Sequence, residues 1–123
     1  MADAKSRLTR LPIPDPDAKE PLPIVLAKDG GLVLSYRAFV ARRDQCVVIA
    51  FPGCREHKYS PRNGQELGCF EVPDSQWVKG PAKHYVFVFP DTVLECAAEG
   101  YSEELVEELG DTVRMMSKRL YQK

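Results

Sequence analysis

The hydrophobic positions of this chain fall into short runs separated by turn residues. Most of the runs alternate with a period of two, which predicts strands rather than helices. Ile24–Ala27 and Leu32–Phe39 flank Lys28-Asp-Gly-Gly31. Asp-Gly-Gly between two β-rich runs predicts a hairpin, because the turn needs positive φ and glycine adopts it without steric cost. Leu32, Leu34, Tyr36 and Ala38 then share one face of the second strand, with Val33, Ser35, Arg37 and Phe39 on the other. After a polar break at 42–45, the unbroken apolar run Cys46–Phe51 reads as a strand covered on both faces, hence central in its sheet. Pro52-Gly53 ends it.

The next stretch, Cys54 to Gly68, is polar and carries turn signals at Ser60-Pro61 and Asn63-Gly64. It reads as a long loop, and loops of this length tend to be functional or mobile. Cys69–Val72 is a short strand, and Asp74-Ser75 starts a helical turn carrying Trp77. His84–Phe89 and Thr92–Glu99 bracket a Pro90-Asp91 turn as a second hairpin.

From Ser102 the period changes. Ser102 is a favoured N-cap; Glu103, Glu104, Glu107, Glu108 and Asp111 precede Arg114, Lys118, Arg119 and Lys123, which matches a helix dipole. Leu105, Leu109, Val113, Met116 and Leu120 make one apolar stripe, with Gly110 its weak point at ~1 kcal/mol relative to Ala. At the other end, residues 1–23 hold five of the ten prolines and predict an extended arm, mobile or draped over the surface. The expected architecture is α+β: an antiparallel sheet of five to seven strands with a C-terminal helix packed on one face. Residues 1–23 form the arm and 24–123 a single α+β domain.

Composition narrows the function. With 123 residues, 44% of them hydrophobic, the chain can bury roughly two-thirds of its unfolded surface without metal or disulfide staples. Seventeen Lys+Arg against 18 Asp+Glu leave a formal net charge of −1, which supplies no drive toward nucleic acid. No apolar run approaches the ~20 residues of a membrane span. Met1–Arg10 lacks the apolar centre of an export signal, so the sequence predicts a cytoplasmic protein whose four cysteines remain thiols. Cys46 and Cys96, inside apolar runs, read as small buried hydrophobes.

Three residue sets invite chemistry. Cys54, His57, Cys69 and His84 are the ligand types of tetrahedral zinc, although only the first pair has compact spacing. Glu95 and Glu99 share a strand face, and His84 or Asp91 would complete an acid–base set. Asp91 and Glu95 also superficially match a magnesium-nuclease pattern, but Ala97 stands where that pattern needs lysine, and charges alternating on an exposed strand usually meet water. Cys54 beside His57 offers a nucleophile and a base with no third group to orient them and no nucleophile elbow. Arg55, His57 and Lys58 would depress the Cys54 pKa if they surround it. Lys28-Asp-Gly-Gly31 is a turn with no phosphate-binding lysine after it.

Over Cys69–Tyr101, Cys-Phe-Glu-Val, Ser-Gln-Trp and His-Tyr-Val-Phe-Val-Phe-Pro-Asp-Thr-Val-Leu-Glu together resemble a family of small bacterial β-rich proteins. In that family a Phe-Glu-Val strand, a Ser-x-Trp turn and a His-Phe-x-Phe-x-Phe-His-Asp-Ser-x-Phe-Glu hairpin recur. The match covers about a quarter of the chain; His84, Asp91 and Glu95 fall on matching positions, and Pro90 replaces the second histidine. The resemblance implies a bacterial β-rich domain and brings no established activity.

The function expected from these readings is a non-enzymatic cytosolic binding or accessory protein of the immunity or antitoxin kind. It would recognise another protein through the 54–68 loop, with Arg55, Glu56, His57, Lys58, Tyr59 and Arg62, and through the Glu95/Glu99 strand face. No cofactor, nucleic acid or membrane is expected, and the chain would be a monomer or an edge-strand homodimer. The alternative is a small zinc protein or hydrolase using the Cys54/His57/Cys69/His84 or the Asp91/Glu95 groups.

Overall fold

Alternating apolar residues on most strands require each sheet to cover one face of another, and the computed structural model meets this with two antiparallel sheets. It describes residues 8–28, 30–40, 43–78, 80–106, 114, 116–118 and 120. The strands are β1 (Thr9–Arg10), β2 (Ile24–Lys28), β3 (Gly31–Val40), β4 (Arg43–Pro52), β5 (Glu56–Pro61), β6 (Gly68–Val72), β7 (Lys83–Val88), β8 (Thr92–Ala98) and β9 (Ser102–Val106). One sheet runs β1-β6-β7-β8-β5 and the other β2-β3-β4-β9.

This corrects the expected α+β architecture. There are two sheets, nearly all the regular secondary structure of the described residues is strand, and Ser102–Val106, the expected first turns of a helix, is a strand paired with β4. The reason is tertiary. β4 carries apolar residues on both faces and would expose one edge; pairing with β9 satisfies that edge and overrides the helix preference of Glu103 and Glu104. Leu105, the first residue of the expected stripe, points outward at 49% exposure, and Val106 is buried. Among the described residues helix is confined to Arg114, Met116–Lys118 and Leu120. Leu109, Gly110, Asp111 and Val113 lie outside the described residues. Met116 and Leu120 bury against Val33, Cys46 and Val48 on the outer face of the second sheet.

Both expected hairpins form. Gly30 takes φ +77° between β2 and β3; Asp29 of that turn lies outside the described residues. β7 and β8 meet at the Pro90-Asp91 turn, where the Phe89 amide donates to the Thr92 carbonyl at 2.8 Å. Leu32, Leu34, Tyr36 and Ala38 of β3 and Val47, Ile49 and Phe51 of β4 face Cys69, Tyr85, Phe87, Leu94 and Cys96 across the sandwich. As expected, β4 is central and Cys46 and Cys96 are buried.

Of the proline-rich arm, residues 8–23 are described, and they cross from one sheet to the other. β1 pairs with β6, then Leu11 and Ile13 enter the core. The Tyr36 hydroxyl donates to the Pro14 carbonyl at 2.6 Å, the Asp17 amide to Arg37 O at 2.8 Å, and the Arg37 amide to Pro21 O at 2.6 Å. Prolines withhold donors, so the arm's carbonyls serve as acceptors for β3.

Where the arm meets β6, Gly68 has φ +141°, and a Cβ there would lie 2.7 Å from Arg10 Nη1 and 3.1 Å from Phe70 Cζ. That guanidinium already holds Asp15 at 2.7 Å and lies over the Phe70 ring, 4.9 Å from its centroid. Gly68→Ala should therefore cost about 2 kcal/mol of stability, from backbone strain plus displacement of Arg10. Urea denaturation checks this; a loss under ~0.5 kcal/mol would mean that Arg10 moves aside freely.

Candidate functional site

The polar stretch after Cys54 is not wholly a loop, a second correction to the sequence reading. Residues 56–61 form β5, paired with β8 at the end of the first sheet, and every residue but Ser60 is exposed. The Arg62 amide donates to Asp91 O at 3.0 Å. Hydrogen-bonded pairs alternate along an antiparallel ladder, so Ser60, Lys58 and Glu56 also bond toward β8, leaving the amides and carbonyls of His57 and Tyr59 directed away from it. Pro61, with no N–H, occupies the next outward position, where a strand tolerates proline.

The side chains of Lys58 and Glu95 share the outer face of this sheet with His84, which lies two register positions away. His84 Nε2 is 2.8 Å from Glu95 Oε1, and Nδ1 is 2.7 Å from Ser75 Oγ. Lys58 Nζ is 3.5 Å from Glu95 Oε2 and 5.4 Å from the centroid of the Trp77 ring. That ring stands edge-on to His84 at 4.8 Å. Ser75 Oγ also accepts the Trp77 amide at 3.1 Å. A carboxylate only accepts, so Nε2 carries a proton; Nδ1 then accepts the Ser75 hydroxyl when the imidazole is neutral and donates to it when protonated. The set is a continuous hydrogen-bonded chain from Ser75 to Glu95, and it ties Ser75 and Trp77 down onto the sheet.

A second feature lies where β4 leads into β5. Gly53 has φ +72°, and its amide donates to Gly30 O at 2.9 Å, drawing the β2–β3 turn against the end of β4. A cavity of about 730 Å3 opens there, lined by Lys28, Cys54, Arg55, His57 and Glu99 among others. Cys54 is 6% exposed, and the Cys96 thiol hydrogen-bonds to it from behind, lowering its pKa; backbone hydrogen bonds at Glu56 and Ala97 act in the same direction, against burial. Cys96 is fully buried and shifted upward by the same hydrogen bond and by desolvation. A smaller cavity of about 390 Å3 lies by Arg10, Arg62 and Phe70. Neither cavity is lined by Ser75, His84 or Glu95.

The expected binding residues thus divide. Arg55, His57 and Glu99 line the large cavity; Glu56 and Tyr59 lie on the exposed strand, with the Tyr59 hydroxyl accepting Thr92 Oγ1 at 3.0 Å. Lys58 and Glu95 join the histidine network. Arg62 clamps its own turn, donating from Nε to Gln65 O at 2.8 Å and from Nη1 to Pro90 O at 3.4 Å. Of the expected acid–base set, His84 and Glu95 meet, while Asp91 is an exposed turn residue whose carbonyl accepts the Arg62 amide.

The four expected metal ligands are not brought together. Cys54 contacts Cys96, His84 sits between Ser75 and Glu95, and Cys69 lies in the core 3.2 Å from the Tyr36 hydroxyl, where burial pushes its thiol up to about 12. Among the described residues no group of three or more His, Cys, Asp or Glu could hold a metal ion. The sequence reading missed Ser75 and Cys96 as partners of His84 and Cys54. Ser75-x-Trp77 carried a local signal, since a serine hydroxyl commonly accepts the amide two residues on; nothing local pairs Cys54 with Cys96.

Compared with known protein families, curated proteins and solved structures, the chain matches none.

Proposed function

We propose that this chain is a non-enzymatic binding protein of the cytosol that takes an extended segment of a partner protein alongside β5 as an added strand. The carrying observation is that among the described residues β5 is paired on one side only, with the backbone groups of His57 and Tyr59 directed away from β8. Tyr59, half exposed on this strand, offers the aromatic surface enriched at interfaces. Glu56 and Lys58 project from the outer face and select a partner strand of alternating charge while discouraging indiscriminate pairing. In this reading the Ser75–His84–Glu95 chain is structural, holding Trp77 and the Lys58 side chain in place on the outer face of the sheet. Four buried free cysteines support a reducing compartment. No described helix is long and apolar enough to cross a membrane.

Peptides selected from a random display library on the immobilised protein test this. In the free protein the His57 and Tyr59 amides should exchange with solvent at least ~100-fold faster than those of Lys58 and Ser60, and they should become protected when a selected peptide binds. Tyr59→Pro removes an outward donor yet leaves the bonds to β8, so it should weaken peptide binding about tenfold with β8 protection unchanged. Selected peptides that bind Tyr59→Pro equally well, or that protect amides elsewhere and not these two, would overturn the reading.

A further inference from the structure

We propose that Cys54 and Cys96 form a dithiol oxidised by hydroperoxides, with Cys54 the attacking thiol at the floor of the β4–β5 cavity and Cys96 the resolving thiol behind it. The inference is independent of the binding role of β5. On β8 Cys96 lies opposite His57 and Ala97 opposite Glu56, and the Arg55 amide donates to Ala97 O at 3.0 Å, so Cys54 stands diagonally across from Cys96 at the end of the strand pairing, and both belong to one buried cluster. Each thiol is the other's side-chain hydrogen-bond partner, and a bridge requires the two sulfurs to close to the ~2.05 Å of a disulfide. Cys54 faces the cavity, while Cys96 has no exposed surface. A small peroxide therefore reaches one sulfur and not the other.

The lining suits the chemistry. Lys28, Arg55 and His57 are set against Glu99, the single acidic group among the described lining residues. Net positive charge favours the thiolate and the oxyanion that leaves it. The hydrogen bond from Cys96 acts in the same direction, holding the Cys54 pKa below the ordinary thiol value. Cys54 thiolate attacks one peroxide oxygen, the O–O bond breaks, and the departing alkoxide takes a proton to leave as an alcohol, or as water when the oxidant is hydrogen peroxide. Cys54 is then a sulfenic acid. The Cys96 sulfur attacks Cys54, its proton passes to the departing hydroxide, and water leaves. The disulfide carries the two-electron oxidation and the peroxide has been reduced. The remaining thiols lack this arrangement: Cys69 faces Tyr36 and Pro14 in the core, and Cys46 packs under Met116 and Leu120.

Stoichiometric hydrogen peroxide on the intact reduced protein, followed by thiol blocking, intact mass and peptide mapping, tests the assignment. The wild type should lose the mass of two hydrogens and yield one cross-linked peptide pair containing Cys54 and Cys96, with Cys54 reacting about tenfold faster than Cys46 or Cys69. Cys96→Ser should instead accumulate a sulfenic acid at Cys54, trapped by dimedone, while Cys54→Ser should leave Cys96 reduced. A cross-link between any other pair, no cross-link, or no dimedone adduct at Cys54 in Cys96→Ser would overturn the proposal. The wild-type map alone decides if either serine variant fails to fold.

Discussion

Phe51→Ala is expected to remove about 3–5 kcal/mol of stability, the range for emptying a buried aromatic site. Phe51 ends the apolar run of β4 with no exposed surface, its ring centroid 5.5 Å from that of Phe87, 5.6 Å from Tyr85 and 6.3 Å from Tyr101. Phe87 and Tyr85 belong to the opposite sheet, so Phe51 is where the two sheets interlock. Domains of this size are stable by ~5–15 kcal/mol, so truncation would consume a large share of the total. Phe51→Leu, which keeps most of the volume, should lose no more than ~1.5 kcal/mol. Urea titrations followed by far-ultraviolet circular dichroism provide the comparison. A Phe51→Ala loss below ~1.5 kcal/mol would show that the sheets are joined elsewhere, through Tyr36 and Phe89, which also stack across the core.

Such local interlocking was legible in part. The Asp-Gly-Gly turn, the doubly apolar Cys46–Phe51 run and the Pro90-Asp91 hairpin announce themselves because each depends on neighbours within about ten residues. β9 did not, since Ser102-Glu-Glu-Leu-Val satisfies helix rules locally and becomes a strand only because β4, more than fifty residues earlier, needs an edge partner. β5 escaped for a related reason: Glu56-His-Lys-Tyr has no apolar face, and an edge strand with five exposed residues needs none. Strand alternation also cannot distinguish one sheet from two, because it reports which residues are buried and not which layer buries them.

The same distinction governs the site. The sequence reading placed Glu95 and Glu99 on one strand face with His84 or Asp91 to complete an acid–base set, and of these His84 meets Glu95, whereas Ser75 and Trp77 join them through contacts that strand alternation does not report. Cys54 and Cys96 stand 42 positions apart in sequence, and the antiparallel pairing of β5 with β8 brings their segments together.

His84→Ala should cost about 2–4 kcal/mol, combining loss of a hydrogen bond to a carboxylate with loss of the ring contact to Trp77. The His84 and Glu95 side chains are 12% and 20% exposed, so water replaces the missing partner only incompletely, and among the described residues Glu95 keeps the ion pair with Lys58. Trp77 is the single tryptophan of the chain, so its emission reports on the cluster without interference and should shift to longer wavelength as Trp77 lifts from the sheet. His84→Phe separates the two contributions. It keeps a ring beside Trp77 and so should preserve the emission, yet lose the part of the stability carried by the Ser75 and Glu95 bonds. In a double-mutant cycle with Glu95→Ala the coupling should reach about 1–2 kcal/mol. Strictly additive losses together with unchanged emission in His84→Ala would mean that Ser75, His84 and Glu95 do not act as a unit. The Lys58 side chain would then be held on the outer face of β5 by its contact with Trp77 and not by the histidine network.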